Sequence, residues 1–347
     1  MRDNMRDQVN EAMNRREFFG RGAAGAGLAL AGTAGLRLGL GKGFAAESAF
    51  ALDASRLGKT DPKLIRYEEV ARFSCPDAAP SRLAIGADQR LYLASSKQVS
   101  VLSLTGELLR AIPVSSPARC VALGAEGEIY AGLRDHVEVF SSKGQRVASW
   151  ESPGPRTWLS GLACGGNDIF AADSGSRTIL RYDRTGKLQG RLGRKDAARS
   201  VPGLVAPSPY LDVEMGRDGL LRVSNFGRHA VETYTADGDL EMSWGKPSAG
   251  IEGFCGCCNP VAITLLPNGK YVTCEKGLPR VKVFSERGEF ECVVAGVESF
   301  PENARSGAPS RGLDCTLGGL DVAVDAEGLV YVLDLVAENI RVLKEKA

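Results

Sequence analysis

Val322-Ala-Val-Asp-Ala-Glu-Gly-Leu-Val-Tyr-Val-Leu333 is two short apolar runs joined by a turn of acidic residues and glycine. That is the sequence form of a β-hairpin, because the turn residues reverse the chain while the flanking residues alternate between two faces. The same form occurs five more times. Leu83 to Ala94, Val121 to Gly132 and Leu162 to Asp173 carry it, as do Val213 to Ser224 and Ile263 to Cys274. The turns read Gly-Ala-Asp-Gln, Gly-Ala-Glu-Gly, Gly-Gly-Asn, Gly-Arg-Asp-Gly and Pro-Asn-Gly. Six copies of one hairpin make this a repeat protein before any other feature is weighed.

A third strand follows each hairpin: Val99-Ser-Val-Leu, Val137-Glu-Val-Phe, Ile179-Leu-Arg-Tyr, Val231-Glu-Thr-Tyr, Val281-Lys-Val-Phe and Ile340-Arg-Val-Leu. In the first five copies a turn (Thr105-Gly, Lys143-Gly, Thr185-Gly, Asp237-Gly, Arg287-Gly) leads into a fourth. Equivalent positions Leu91, Ile129, Ile169, Leu221, Tyr271 and Val330 are spaced by 38, 40, 52, 50 and 59 residues. Four strands in such a period form a propeller blade, which shares its faces with its neighbours. The sixth copy ends after three strands, and Arg66-Tyr-Glu-Glu-Val-Ala-Arg-Phe73 is a lone strand ahead of the first. The expectation is an all-β, six-bladed propeller of four-stranded antiparallel blades over 62–347. Its last blade is closed by the N-terminal strand, which removes an open sheet edge.

Ile169-Phe-Ala-Ala-Asp-Ser-Gly-Ser-Arg-Thr-Ile-Leu-Arg-Tyr-Asp-Arg-Thr-Gly186 and Arg222-Val-Ser-Asn-Phe-Gly-Arg-His-Ala-Val-Glu-Thr-Tyr234 carry a further signal. They resemble the NHL-repeat family of six-bladed propellers, and the resemblance covers nearly all of residues 65–347. The first two copies depart from it, with Ser95-Ser96 and Leu133-Arg134 where Asp-Ser is expected. The resemblance implies a fold and leaves the function open, because one propeller hosts binding scaffolds, lyases, lactonases and oxidoreductases.

Ahead of the repeats, Met13-Asn-Arg-Arg-Glu-Phe-Phe19 looks like a twin-arginine export signal, with Arg15 and Arg16 as the pair. The Ala, Gly and Leu stretch from Ala23 to Leu36 is shorter than the roughly 20 apolar residues of a membrane span. Residues 1–51 are therefore expected to be a signal and short linker, and the mature protein to be periplasmic or otherwise extracytoplasmic. No later segment has the apolar length to span a membrane. The whole chain has 43 basic and 42 acidic residues, and without residues 1–46 it would have 36 and 38. This balance argues against a nucleic-acid partner. With two histidines, His136 and His229, no three-histidine metal site can form. A monomer that takes a protein or a small ligand on one face fits these features.

Gly253-Phe-Cys-Gly-Cys-Cys-Asn-Pro260 enters blade five. Connections into strand one and from strand two to strand three share a face of a blade. Cys255, Cys257 and Cys258 are therefore expected near Cys274, with Cys315 on the same face. Converging thiols suit an iron–sulfur cluster, copper or zinc. Disulfides, for example Cys255 or Cys258 with Cys274, and buried free thiols are the alternatives. Cys120, Cys164 and Cys292 fit small core positions.

Asp173, Asn225, Glu275 and Asp334 fall at second-strand exits on that face, with Arg228, His229, Lys276 and Arg280 in the loops beyond. They form a candidate binding face, and each of the first four is also placed to cap its own turn. Trp244 and Phe254 are expected to wall a pocket, and Trp150 and Trp158 to pack between blades. The favoured function is an exported binding or scaffold propeller whose cysteine-rich face is stapled or metallated. The alternatives are a metal- or cluster-dependent oxidoreductase or electron-transfer subunit, and a Ca²⁺-dependent hydrolase or lyase, since Asp, Glu and Asn oxygens suffice for calcium.

Overall fold

The computed structural model describes residues 59–302 and 319–347. Their strands form six four-stranded antiparallel sheets. Blade one contains β2 (Arg82–Ile85), β3 (Arg90–Ala94), β4 (Gln98–Ser103) and β5 (Leu108–Pro113). Blade two contains β6 (Cys120–Leu123), β7 (Ile129–Gly132), β8 (Val137–Phe140) and β9 (Arg146–Ser149). Blade three contains β10 (Leu159–Gly165), β11 (Asp168–Asp173), β12 (Thr178–Asp183) and β13 (Leu188–Leu192). Blade four contains β14 (Asp212–Met215), β15 (Leu221–Asn225), β16 (Ala230–Tyr234) and β17 (Leu240–Trp244). Blade five contains β18 (Ala262–Leu265), β19 (Tyr271–Cys274), β20 (Val281–Phe284) and β21 (Phe290–Ala295).

Blade six is the composite one: β22 (Leu320–Val324), β23 (Val330–Asp334) and β24 (Asn339–Glu345) pair in order, and β1 (Tyr67–Ser74) adds to β24. Tyr67 faces Glu345 at one end and Ser74 faces Asn339 at the other, with a bulge at Val70. The six-bladed propeller closed by its N-terminal strand is thus present, with the closing strand one residue later than expected.

Each pair of neighbouring blades encloses its own apolar layer. Between blades one and two lie Tyr92, Val101, Ile129 and Phe140; between six and one lie Leu91, Leu93, Tyr331 and Ile340. The blades are also docked by a repeated contact. The residue near the end of one outer strand sits under the glycine of the next blade's outer turn. Trp150 lies beneath Gly186 and Trp244 beneath Gly288, so close that a Cβ at either glycine would fall 2.3–2.4 Å from the indole. Both glycines also have positive φ, so any other residue there is opposed by sterics and by backbone conformation together.

Candidate functional site

The first strands surround the axis, and their registers bring Arg82, Cys120, Gly161, Asp212, Ala262 and Asp321 to one level. Arg82, from blade one, is 8% exposed and reaches across the axis. Its Nη1 lies 2.5 Å from Asp321 Oδ1 and 3.5 Å from Asp212 Oδ2. Its Nε donates to Ser160 O at 3.1 Å, and its Nη2 donates to Val261 O at 3.2 Å. The carboxylates are held in turn by backbone donors. Leu83 N–H donates to Asp321 and Ile263 N–H to Asp212. Burial alone would disfavour the guanidinium charge, but Asp212 and Asp321 outweigh it and keep Arg82 protonated. Burial raises the Asp212 pKa, and the nearby Asp321 adds to the shift against the pull of Arg82.

Two residues along each strand come Ala84, Ala122, Ala163, Glu214, Thr264 and Ala323, lining a cavity of about 260 Å³ beyond Arg82. Small side chains leave it open, and Glu214 is its only carboxylate at that level. Burial, with the nearby Asp212 and Asp321, pushes Glu214 up to about 8. Glu214 also borders a wider cavity of about 640 Å³ at the far end, with Arg222, Tyr271 and Asp325.

On the other side of Arg82 lies a mouth of about 170 Å³, lined by Arg119, Trp158, Tyr210 and Leu335 over a floor of Arg82 and Asp321. Trp158 is set by Asp173, whose Oδ1 accepts from the Trp158 backbone N–H at 2.9 Å. Ser174 binds the Trp158 carbonyl through both its N–H and its hydroxyl. The Arg119 guanidinium lies 4.2 Å from the Trp158 ring centre and that of Arg134 lies 5.2 Å away. The Lys276 ammonium sits 4.1 Å over Tyr210. Arg119 Nε and Trp158 Nε1 are buried atoms without an acceptor. Trp150 and Trp244 share that lack, but they are packed into blade interfaces. Indole and guanidinium only donate, so two residues of the mouth hold buried donors in want of an acceptor.

The expected face residues divide by depth. Asp173, Asn225, Glu275 and Asp334 are 0% exposed and bind their own surroundings. Asn225 Oδ1 accepts from Val205 N–H, and Asp334 Oδ1 accepts from Val336 and Ala337 N–H. Glu275 pairs with Arg280 at 2.7 Å and Lys282 at 3.1 Å, and accepts from Cys255 N–H. Arg228 binds the carbonyls of Gly203 and Pro202. His229 Nε2 lies 2.5 Å from Gly256 O, joining the blade-four loop to the cysteine loop.

Among the described residues, Cys258 and Cys274 do not meet. Cys258 packs in the layer between blades three and four, and Cys274 in that between blades five and six. Cys258 precedes β18 while Cys274 ends β19, and the two thiols enter different cores. Among the described residues no disulfide forms, and no group of three or more His, Cys, Asp or Glu is arranged for a metal. Cys315, Arg15 and Arg16 lie outside the described residues. Cys120 and Cys164 are core residues as expected, but both also border the axial cavity.

Two aromatic expectations are corrected. Trp244 and Phe254 are buried with Tyr271 and Phe284 between blades four and five, because the outer strand end is where blades dock. Trp158 is half-buried at the mouth, because it precedes β10 in a connection rather than ending an outer strand. Arg82, Arg119, Tyr210 and Glu214 were not anticipated. The one usable sign was charge in a first strand, where neighbouring repeats carry Ala, Cys or Gly.

No protein-family model matches the chain, and no curated protein matches it. Solved structures do. A streptogramin B lyase is 16% identical at a TM-score of 0.53, covering 81% of this chain and 97% of its own. Virginiamycin B lyase from Staphylococcus aureus is 14% identical at 0.53, over 80% and 99%. A catalytically inactive histidine-to-alanine variant of that lyase with quinupristin is 13% identical at 0.55, over 80% and 99%. These likenesses are likenesses of fold.

Proposed function

We propose that the chain is an exported propeller of NHL type that binds a small organic anion at the mouth of its axis. The observation that carries this is the pair of buried donors without acceptors, Arg119 Nε and Trp158 Nε1, lining one mouth. A carboxylate supplies the missing acceptors and meets the Arg119 charge. Trp158, Tyr210 and Leu335 supply an apolar wall for the organic part. The cysteine loop borders this face through His229 and Asn259, as a rim rather than a metal centre. A cluster-bearing oxidoreductase would need Cys258 and Cys274 together, and they occupy different layers.

Titration calorimetry with benzoate, phenylphosphate and neutral benzamide tests the site. An anion should bind and benzamide should not. Arg119→Ala should weaken binding by at least about tenfold, since a hydrogen bond to a charged group is worth roughly 1.5–3 kcal/mol. Equal affinity in the variant would overturn the assignment. Export is carried by Arg15 and Arg16, and replacing both with lysine should retain the protein in the cytoplasm on fractionation. A variant that still reaches the periplasm would refute that route.

A second reading, a propeller lyase or hydrolase, draws on the names of the structural neighbours. Neither histidine lines the axial cavities here: His136 pairs with Asp135 and His229 with the Gly256 carbonyl. Asp212 and Asp321, the axial carboxylates that would attract Ca²⁺, already face Arg82. Such an enzyme would rest on Glu214, and conversion of a bound ester or lactone that is lost in Glu214→Gln would favour it.

A further inference from the structure

The cysteine loop contains a feature that neither a metal centre nor a long-range disulfide explains. Cys257 Sγ and Cys258 Sγ, on adjacent residues, lie 3.3 Å apart. Cys257 is exposed and Cys258 is buried. We propose that Cys257 and Cys258 are a vicinal dithiol–disulfide redox pair whose state is transmitted to the turn that carries Lys276.

The chemistry divides between the two thiols by access. The Cys257 thiolate attacks one sulfur of a low-molecular-weight disulfide such as oxidised glutathione, and one glutathione thiolate leaves. The Cys258 thiolate then attacks Cys257 Sγ in the mixed disulfide, displacing the second glutathione. Two protein thiols are oxidised, one glutathione disulfide is reduced to two thiols, and the two protein protons go to the departing thiolates. Adjacent Cα atoms are about 3.8 Å apart, shorter than the usual range of about 4.4–6.8 Å for a bridged pair. The ring that closes is therefore strained and easily reduced, which suits a reversible pair more than a permanent staple.

The transmission path is short. Asn259, 1% exposed, follows Cys258 directly. Its Nδ2 donates to Cys255 O and to Lys276 O, and its Oδ1 accepts from Lys276 N–H at 2.8 Å. Closing the ring must bring the sulfurs from 3.3 Å to about 2.05 Å within the span that Asn259 bridges. The Cys255–Asn259 and Asn259–Lys276 bonds cannot both keep their geometry. Lys276 in turn lies over Tyr210 at the mouth.

The test uses the full chain equilibrated in reduced and oxidised glutathione. Peptide mass spectrometry of the oxidised sample should find the Cys255 to Pro260 segment lighter by two hydrogens. Cys257→Ser and Cys258→Ser should each abolish that species, while Cys255→Ser and Cys274→Ser should keep it. Hydrogen exchange of the Lys276 segment should then be about fivefold faster or more in the oxidised protein, the size of a modest coupling between sites. The Cys257→Ser protein should show no such response. A lasting glutathione adduct on Cys257, or pairing of Cys257 with Cys255, would overturn the pair. A vicinal disulfide with unchanged Lys276 exchange would overturn the transmission.

Discussion

Arg82 is one side chain that ties its own blade to four others. It belongs to blade one and binds Ser160 of blade three, Asp212 of blade four, Val261 at the entry to blade five, and Asp321 of blade six. A charge this deep is tolerated because every face of the guanidinium meets an oxygen. Removing it strands two carboxylates at the axis, so Arg82→Met should destabilise by about 3–5 kcal/mol in urea unfolding. A cost below about 1 kcal/mol would mean that the axial network is ornamental. This residue also marks a limit of what the sequence discloses. The hairpin containing Arg82 was recognisable from Leu83 onward, but nothing local says that its preceding arginine will find partners 130 and 239 residues away. Trp158 departs from the expected place between blades for a related reason. Its contacts depend on Asp173 setting its backbone, while Trp150 follows the simpler rule of an outer strand end.

At the level of elements the sequence is far more informative, because hairpins are local. Turns with Gly at positive φ, such as Gly127, Gly219, Gly269 and Gly328, sit where the repeat places them. Alternation then sets which face each strand buries. The connections between blades carry no such rule, and the cysteine loop is one of them. Its three thiols are close in sequence, yet Cys258 follows the blade-four core while Cys257 points outward. The closing strand is the element whose pairing spans the whole chain. β1 binds β24, Glu69 pairs with Arg341 at 2.9 Å, and Tyr67 completes the layer between blades five and six. Deleting residues 59–75 exposes β24 as an edge and opens that layer. Calorimetry should show the single unfolding transition lost or its midpoint lowered by many degrees, and a synthetic 59–75 peptide should restore it in part. Unchanged melting in the deletion would show that closure contributes little.

For the whole molecule, the ring geometry gathers charge at the axis that no single blade would bury, and pH should report it. Glu214 is pushed from 4.5 up to about 8 by burial and by Asp212 and Asp321, and burial raises Asp212 as well. Between those values the folded state keeps a proton that the unfolded chain has released. The Glu214 contribution to stability is therefore complete below about pH 4.5 and is lost as pH rises toward 8. Carboxylates that pair with arginine act in the opposite direction. Burial opposes the shift at Glu138, where Arg146 and Ser115 prevail, and Arg222 holds Asp218 down. Both are already ionised at pH 5, so their effect is confined to more acidic conditions. In the window from about pH 5 to pH 8 the axis acts through Glu214 and Asp212, and burial raises Glu232 of blade four in the same direction. Urea midpoints should fall across that window, and Glu214→Gln, which keeps the shape without the titration, should flatten the fall. If the parent midpoint rises between those limits, or the glutamine variant keeps the full slope, Glu214 does not hold its proton in the folded ring. The cavity beyond Arg82 would then be an anionic chamber, and a cation would be the ligand to seek there.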